Sequence, residues 1–171
     1  MKGRSEPDYR EAGPEGLAAA APLLERVFTA EMGAAAGPLV ASALEETAAR
    51  FDPSRDFVVL AEAGGEVVGA LVAGHEGGAA EGSTSFGFWA VEAPLRGRGI
   101  GRELLRLALD RARSRGLSTL TARCLAVSPQ VPRLFWAHGF RVSKLTGLPV
   151  GGSVRELVCF ERRLAPREAP C

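Results

Sequence analysis

The residues best suited to chemistry lie in RGRGIGRELL at positions 96–105, where three glycines and three arginines lead into an apparent helix. Glycine lets backbone N–H groups approach a ligand without a Cβ in the way. The first turn of a helix offers unpaired N–H groups and a partial positive charge, and both favour phosphate. The segment therefore predicts a phosphate-binding turn.

Two other glycine-rich phosphate motifs do not match this segment. A dinucleotide fingerprint requires GxGxxG and an acidic residue about 20 positions later. Here Arg102 occupies the place of the third glycine, and residues 117–123 contain no acid. A Walker loop requires GK[ST] after the glycines, which is absent. A helix start whose glycines serve only the turn remains the alternative.

The pattern of apolar residues predicts one α/β domain of 1–171, with its core at about 8–164 and a frayed tail at 165–171. Strands are expected at 8–12, 57–62, 66–74, 85–91, 117–127, 140–145 and 154–164. Helices are expected at 17–33, where Pro22 should start or kink the helix, and at 39–50, 100–116 and 128–139. Residues 33–38, 75–84 and 146–153 read as loops.

Particular residues sharpen this pattern. Gly64 and Gly65 predict a tight hairpin turn, because glycine accepts the positive φ angles of such turns. Gly87, inside a strand pattern, indicates a bulge or a close approach to the backbone. The helix at 100–116 is amphipathic, with Gly116 as its stop. Its apolar positions are Ile100, Leu104, Leu105, Ala108, Leu109 and Ala112.

Composition narrows the partners and the compartment. The formal net charge of +1 gives no general attraction to nucleic acid or anionic lipid. The three cysteines are too scattered for a disulfide framework or a metal site, which favours a reducing cytoplasm. The first residues lack a signal-peptide pattern, and no stretch approaches the ~18 apolar residues of a membrane span. We therefore expect no metal, no nucleic-acid partner and no membrane insertion.

Two segments together resemble the GNAT superfamily of acyl-CoA-dependent N-acyltransferases. Arg96, Gly99 and Gly101 match the family's [RQ]xxGxG[AG]-type motif. The segment VSPQVPRLFWAHGF of this sequence, which ends in Gly139-Phe140, resembles the family's second characteristic region. The predicted order of strands and helices agrees over residues 8–164. The resemblance implies a GNAT-like fold, with a mixed, mostly antiparallel central sheet and helices on both faces.

The resemblance also implies acetyl-CoA as co-substrate. Backbone N–H groups from 97 to 102 would hold the pyrophosphate, and strand backbone would pair with the pantetheine arm. Arginine side chains would add charge-assisted contacts. The cofactor-binding residues expected on this basis are Trp89, Ala90, Val91, Arg96, Gly97, Arg98, Gly99, Ile100, Gly101, Arg102 and Ser128. Ser128 stands where relatives often have an asparagine, and it could equally cap the following helix.

The sequence departs from the family at its acid and base positions. A tyrosine that protonates the leaving thiolate in many relatives is Phe135 here, and acidic bases of two branches fall at Ser85 and Arg123. Neutralising an alkyl ammonium of pKa ~10.4 at pH 7 costs ~4–5 kcal/mol, whereas an α-amino group near ~8 costs only ~1. Low-pKa amines are therefore favoured. The catalytic residues stay unassigned, with Glu81, His75 and His138 as weak candidates for a base.

The sequence thus predicts a cytoplasmic acetyl-CoA-dependent N-acetyltransferase that transfers acetyl directly to an amine. Loops at 33–38 and 146–153 would form the acceptor pocket for a small-molecule or peptide amine. Two alternatives stay open: an acyl-CoA-binding regulatory module without turnover, and a protein N-terminal or lysine acetyltransferase. A homodimer is compatible with the resemblance.

Overall fold

The computed structural model describes residues 6–74, 80–125 and 130–165. Within these ranges the chain forms seven strands and four α-helices. In chain order they are β1 (Asp8–Ala12), α1 (Glu15–Met32), α2 (Ala36–Ala49), β2 (Phe57–Ala63), β3 (Glu66–Gly74), β4 (Ser83–Val91), α3 (Ile100–Ser114), β5 (Thr119–Leu125), α4 (Gln130–Ala137), β6 (Arg141–Val150) and β7 (Ser153–Arg163). The predicted order of elements is confirmed.

The strands form one sheet in the order β1-β2-β3-β4-β5-β7-β6. All neighbours are antiparallel except β4 and β5, which run parallel. The turn between β2 and β3 uses Gly64 and Gly65 at φ 62° and 81°, as the sequence predicts. The expected mixed, mostly antiparallel sheet is therefore confirmed.

Helices cover both faces of the sheet, because alternate strand residues point to opposite sides. On one face, α1 residues such as Leu23 and Leu24 pack with Val58 and Leu60 in one core. On the other, α3 side chains and Phe135 of α4 pack with alternate residues of the same strands. The central strands are thus apolar on both sides, which explains their nearly continuous hydrophobic sequence.

Helix α3 follows its amphipathic pattern closely. All six apolar positions predicted for its inner face are buried. The helix ends through Gly116 at φ 69°, where the Leu117 N–H donates to the Ala112 carbonyl at 3.1 Å and the Gly116 N–H donates to the Arg113 carbonyl at 3.0 Å. These two bonds form a Schellman motif, so the end of the helix is fixed as firmly as its buried face.

Of the two expectations for Pro22, that it starts the helix or that it kinks the helix, the first is wrong. Helix α1 begins at Glu15 and continues through Pro22 to Met32. Proline removes one N–H from the helical ladder, and here the carbonyl that loses its donor belongs to Ala18. Ala18 is exposed, so water can satisfy that carbonyl.

Two predicted loops are shorter than expected. The prediction of a flexible loop at 146–153 is wrong. Strand β6 extends to Val150, and a two-residue turn of Gly151 and Gly152 leads directly into β7. Pro149 disfavours a strand in the sequence pattern, but β6 is an edge strand, where proline is tolerated. Likewise α2 begins at Ala36 within the loop predicted at 33–38, because a helix accepts Pro38 in its first turn.

Candidate active site

The parallel strands β4 and β5 separate halfway along their length. They pair from Ser83–Phe86 against Thr119–Ala122. Beyond that point, β4 pairs only with β3, and β5 pairs only with β7 within the described residues. The second half of β4 therefore presents backbone N–H and C=O groups to a gap inside the sheet, where an extended ligand could bind as an added strand.

A bulge marks the place where the strands separate. In the β3–β4 register, Ala73 lies opposite Phe86 and Val72 lies opposite Phe88, which leaves Gly87 as an extra residue. The bulge predicted at Gly87 is confirmed. The extra residue reverses the alternation of side chains, so Phe88 joins the core under α1 and α2 while Trp89 joins the core under α3.

The hydrogen-bond pattern of β4 shows which backbone groups face the gap. The Glu92 N–H donates to the Val68 carbonyl at 2.8 Å, so Glu92 faces β3. Since antiparallel strands alternate bonded and non-bonded pairs, Ala90 also bonds to β3, and Trp89 and Val91 turn their backbone groups toward the gap. The predicted trio 89–91 is thus split: Ala90 bonds to β3, whereas the Trp89 backbone and the Val91 N–H are available to a ligand, since the Val91 carbonyl accepts from Arg96.

The glycine-rich turn directs a run of unpaired donors outward. The Glu103 N–H donates to the Gly99 carbonyl at 3.0 Å, which is the first bond of α3. The six preceding N–H groups, from Gly97 to Arg102, have no acceptor in the part of the chain that the structure describes. Such a run at a helix N-terminus, where the helix dipole is positive, fits a pyrophosphate.

The glycines of this turn are needed for two different reasons. Gly97 and Gly99 adopt φ of 77° and 85°, and a Cβ on either would meet no heavy atom within 4 Å, so the space in front of the turn is open. Gly101 has helical geometry, but a Cβ there would lie 3.3 Å from Cζ2 of Trp89. The first two glycines shape the turn, and the third lets the helix start lie against the Trp89 ring.

The three arginines of the motif have different surroundings. Arg96 donates from Nε to the Val91 carbonyl at 3.0 Å, and its guanidinium contacts Glu31 of α1 at 3.1 Å. Arg96 therefore ties the glycine turn to the end of β4 and to α1. Arg98 and Arg102 are exposed, and neither forms an ion pair with any other described residue.

The position of the absent tyrosine is occupied by a buried ring. Phe135 is 2% exposed, and its ring centroid lies 5.3 Å from that of Trp89 and 5.0 Å from those of Phe140 and Phe160. Tyr9, the one tyrosine of the sequence, lies on β1 at the edge of the sheet, three strands from β4. No tyrosine therefore reaches the gap between β4 and β5.

The positions of the family's acidic bases hold other side chains. Ser85 is buried on β4, opposite Gly74 and beside Thr121. Arg123 is exposed on β5, one residue beyond the last β4–β5 pair, and lies opposite Cys159. Neither residue supplies a carboxylate.

The candidate bases do not gather at the gap. Glu81 is exposed just before β4, at the end where β4 and β5 are paired. The ring of His138 lies 2.9 Å through Nδ1 from the Leu134 carbonyl, so it binds the end of α4, as the sequence suggested. His75 and Ser128 lie outside the described residues. Burial, with a smaller contribution from Cys159, raises the pKa of the Cys124 thiol to about 11, so that thiol stays protonated at neutral pH.

The two segments predicted to form the acceptor pocket contact each other. A Cβ on Gly151 would lie 3.2 Å from that of Ala35, and Val150 packs with Met32 and Ala36 in a small core of their own. Phe28 joins this core and also meets Phe88 of β4 edge to face at 5.7 Å between centroids. The α1–α2 connection and the β6–β7 turn thus form one wall on the α1–α2 face of the sheet.

Other site classes find little support in these residues. No group of three His, Cys, Asp or Glu side chains suited to a metal comes together within the described ranges. No helix in those ranges is both long enough and apolar enough to cross a membrane.

The chain is thus an α/β domain with a run of unpaired backbone N–H groups at a helix start and an open strand edge beside it. The family model described as Acetyltransferase (GNAT) family matches residues 23–140. The chain belongs to the GNAT acetyltransferase family. It is therefore an acetyltransferase that uses acetyl-CoA and has an amine acceptor. Among curated proteins, none matches this chain.

Solved structures share the fold at low sequence identity. The YncA protein of Salmonella typhimurium, solved with its cofactor acetyl-CoA, is 21% identical with a TM-score of 0.69, covering 98% of this chain and 99% of that one. Ribosomal-protein-alanine N-acetyltransferase from Brucella melitensis is 23% identical with a TM-score of 0.69, over 92% and 99%. IAA acetyltransferase from Bacillus cereus ATCC 14579 is 20% identical with a TM-score of 0.65, over 92% and 99%.

Proposed function

We propose that this acetyltransferase holds acetyl-CoA across the glycine turn and the open edge of β4 and transfers the acetyl group directly to a low-pKa amine. The observation that carries the proposal is the run of six N–H groups from Gly97 to Arg102 without an acceptor in the described chain. Five residues, 92–96, separate this run from the end of the strand whose edge is open. One ligand with a pyrophosphate and an extended amide arm matches both features.

Each cofactor-binding residue has its own part in this proposal. The N–H groups of Gly97, Ile100 and their neighbours bind the pyrophosphate, while the exposed Arg98 and Arg102 add charge-assisted contacts. Arg96 holds the glycine turn in position, since its guanidinium already binds Val91 and Glu31. Backbone groups of Trp89 and Val91 bind the arm, and Ala90 holds that edge to β3. Ser128 is proposed from the family pattern alone.

The transfer step follows from the same geometry. The amine nitrogen attacks the thioester carbonyl, the C–S bond breaks, and the thiolate leaves while the nitrogen loses a proton to water. N–H groups of β4 stabilise the oxyanion. The leaving thiol has a pKa near ~8.5, so its departure as an unprotonated thiolate at neutral pH costs only ~1–2 kcal/mol. Phe135 in place of tyrosine is therefore compatible with turnover. The absence of a carboxylate at 85 and 123 favours acceptors that are already neutral near pH 8.

The acceptor is proposed to bind on the α1–α2 face, beside the wall formed by the α1–α2 connection and the β6–β7 turn. Phe28 connects this wall to β4, because it packs against the wall and also contacts Phe88, the residue that follows the bulge. A small molecule or a peptide end that presents an α-amino group or an aromatic amine fits the low-pKa requirement. Cytoplasmic location and a homodimer remain predictions from the sequence and the resemblance.

The test is an amine panel followed by release of the CoA thiol and by mass spectrometry of the product. We expect α-amino and aromatic amines to be acetylated in preference to alkyl amines. With any alkyl amine that reacts, kcat/KM should rise about tenfold per pH unit up to pH 9. The Gly99→Glu variant should lose activity, and Gly116→Glu, also at a positive φ but at the far end of α3, should keep it. Equal preference for alkyl amines at pH 7 would contradict the proposal.

A regulatory module is the second candidate, favoured by Phe135 and Ser85 at positions where relatives have an acid and a base. Acetyl-CoA binding without turnover across the whole panel would support it.

A further inference from the structure

Trp89 carries a buried hydrogen-bond donor that the fold leaves unpaired. Its indole Nε1 is shielded from solvent, and no partner lies within hydrogen-bond distance among the described residues. A buried donor without a partner destabilises the fold, because its hydrogen bond to water is lost and nothing replaces it. Fully orphaned donors are rare in native proteins, so each calls for an explanation such as a missing ligand.

The indole ring lies against the glycine turn, and the ring atoms nearest to the turn adjoin the donor nitrogen. Cζ2 of Trp89 would lie 3.3 Å from a Cβ on Gly101, and Cε2, the carbon bonded to Nε1, would lie 3.7 Å from it. Gly101 is in the first turn of α3, among the N–H groups that have no acceptor. The ring of Phe135 packs against the indole at 5.3 Å between centroids, tilted by 49°, and helps to hold it in place.

We infer that the Trp89 indole N–H is a binding group for acetyl-CoA, donating to a polar oxygen of the cofactor where the pyrophosphate meets the pantetheine arm. The inference rests on the proposed function, since it requires the cofactor to lie on the glycine turn and β4. Trp89 then binds twice: its backbone faces the strand gap and its side chain faces the helix start. The third glycine of the motif acquires a purpose, because a side chain at 101 would push the indole away.

Thr84 provides a matched comparison on the same strand. Its Oγ1 is also buried without a partner, and the residue is 1% exposed. Thr84 lies on the paired half of β4, opposite Leu120 and roughly 15 Å along the strand from Trp89. No acceptor-free backbone run adjoins it, so its hydroxyl is an unpaired core group and not a ligand contact.

The first test measures the affinity of acetyl-CoA by calorimetry for Trp89→Phe, Thr84→Val and the wild type. Phenylalanine keeps an aromatic ring against Phe135 and removes the donor. We expect Trp89→Phe to bind about three- to tenfold more weakly, the effect of one lost hydrogen bond. Thr84→Val should bind as the wild type does. Equal affinity of Trp89→Phe and the wild type would overturn the inference.

The second test leaves Trp89 unchanged, so it does not depend on the folding of a Trp89 variant. Trp89 and Trp136 are the two tryptophans of the sequence, and Trp136 is 50% exposed on α4, where replacement by phenylalanine is easily tolerated. In Trp136→Phe, one indole N–H resonance remains in a ¹⁵N-correlated spectrum. Saturation with acetyl-CoA should move that resonance downfield, and an unmoved resonance would overturn the inference. Wild-type protein that binds no acetyl-CoA would instead refute the proposed function.

Discussion

Gly99 and Gly116 allow the role of the glycine turn to be separated from backbone strain. Both have positive φ, 85° and 69°, and a Cβ on either meets no heavy atom within 4 Å. Alanine at either position should therefore destabilise the fold by about 1–2 kcal/mol. Because only Gly99 lies among the unpaired donors, Gly99→Ala should also weaken acetyl-CoA binding by about tenfold. Denaturant unfolding and calorimetry measure the two effects, and equal affinities in the two variants would contradict the role of the turn.

Phe135 and Phe160 separate a chemical effect from a packing effect. Both rings are buried in one aromatic cluster, 5.0 Å apart. Because both rings are buried, a tyrosine hydroxyl at either site would lose contact with water, so each substitution should cost about 1–3 kcal/mol, or about 2–4 °C in Tm per kcal/mol. Phe135→Tyr places its hydroxyl at the family's acid position, so its kcat should be retained or increased. Loss of kcat in Phe135→Tyr beyond that in Phe160→Tyr would refute this expectation.

At the scale of elements, the bulge in β4 decides which side chains reach which face. Deleting Gly87 should remove the bulge and leave Phe88 opposite Val72 and Trp89 opposite Leu71, on the faces that they already occupy. We expect this variant to fold with a free energy of unfolding within about 2 kcal/mol of the wild type, because no large side chain leaves its core. Gly87→Ala is the control: a Cβ there meets nothing within 4 Å, so stability should change by less than about 1 kcal/mol. Thermal unfolding checks both, and a deletion variant that fails to fold would contradict the assigned register.

The start of α3 predicts which charges the cofactor uses. Arg98→Ala and Arg102→Ala should each weaken acetyl-CoA binding by about three- to tenfold and reduce its dependence on salt. Arg106→Ala, one turn further along, should change neither, because its guanidinium already binds Glu103 at 2.5 Å and Asp110 at 2.9 Å. Titrations at two salt concentrations measure the effect. Salt dependence that is equal in all three variants and the wild type would contradict the assignment.

The elements that the sequence predicted well are those with local signals. Helix α3 is marked by six apolar positions and its terminal glycine, and the β2–β3 turn is marked by two adjacent glycines. The β6–β7 hairpin was missed because Gly147 and Pro149 are weak strand formers. What holds them in a strand is pairing with β7 and the packing of Val150 against α1 and α2, which are contacts distant in sequence.

The candidate site divides in the same way. The glycine turn is local, so its six residues could be predicted from sequence spacing and a family pattern. The gap between β4 and β5 depends on where two strands distant in sequence cease to pair. The ties of Arg96 to Val91 and Glu31, and the unpaired donor of Trp89, depend on side-chain packing. No spacing rule predicts such contacts, although a glycine at 101 next to a strand that contains tryptophan is a signal in retrospect.

At the scale of the whole molecule, we propose that the domain holds acetyl-CoA across two elements. In this proposal, the glycine turn supplies donors for the pyrophosphate, and β4 supplies an edge for the arm. A ligand with only the pyrophosphate end should therefore bind, but more weakly than one that uses both elements. ADP carries that pyrophosphate end without the arm.

The most direct measurement is a calorimetric titration of the purified protein with acetyl-CoA and, separately, with ADP. A third titration adds acetyl-CoA to protein that is saturated with ADP. We expect micromolar binding of acetyl-CoA at one site per chain, weaker binding of ADP, and mutual competition. No detectable binding of acetyl-CoA, or binding that ADP does not compete with at saturation, would contradict the proposal.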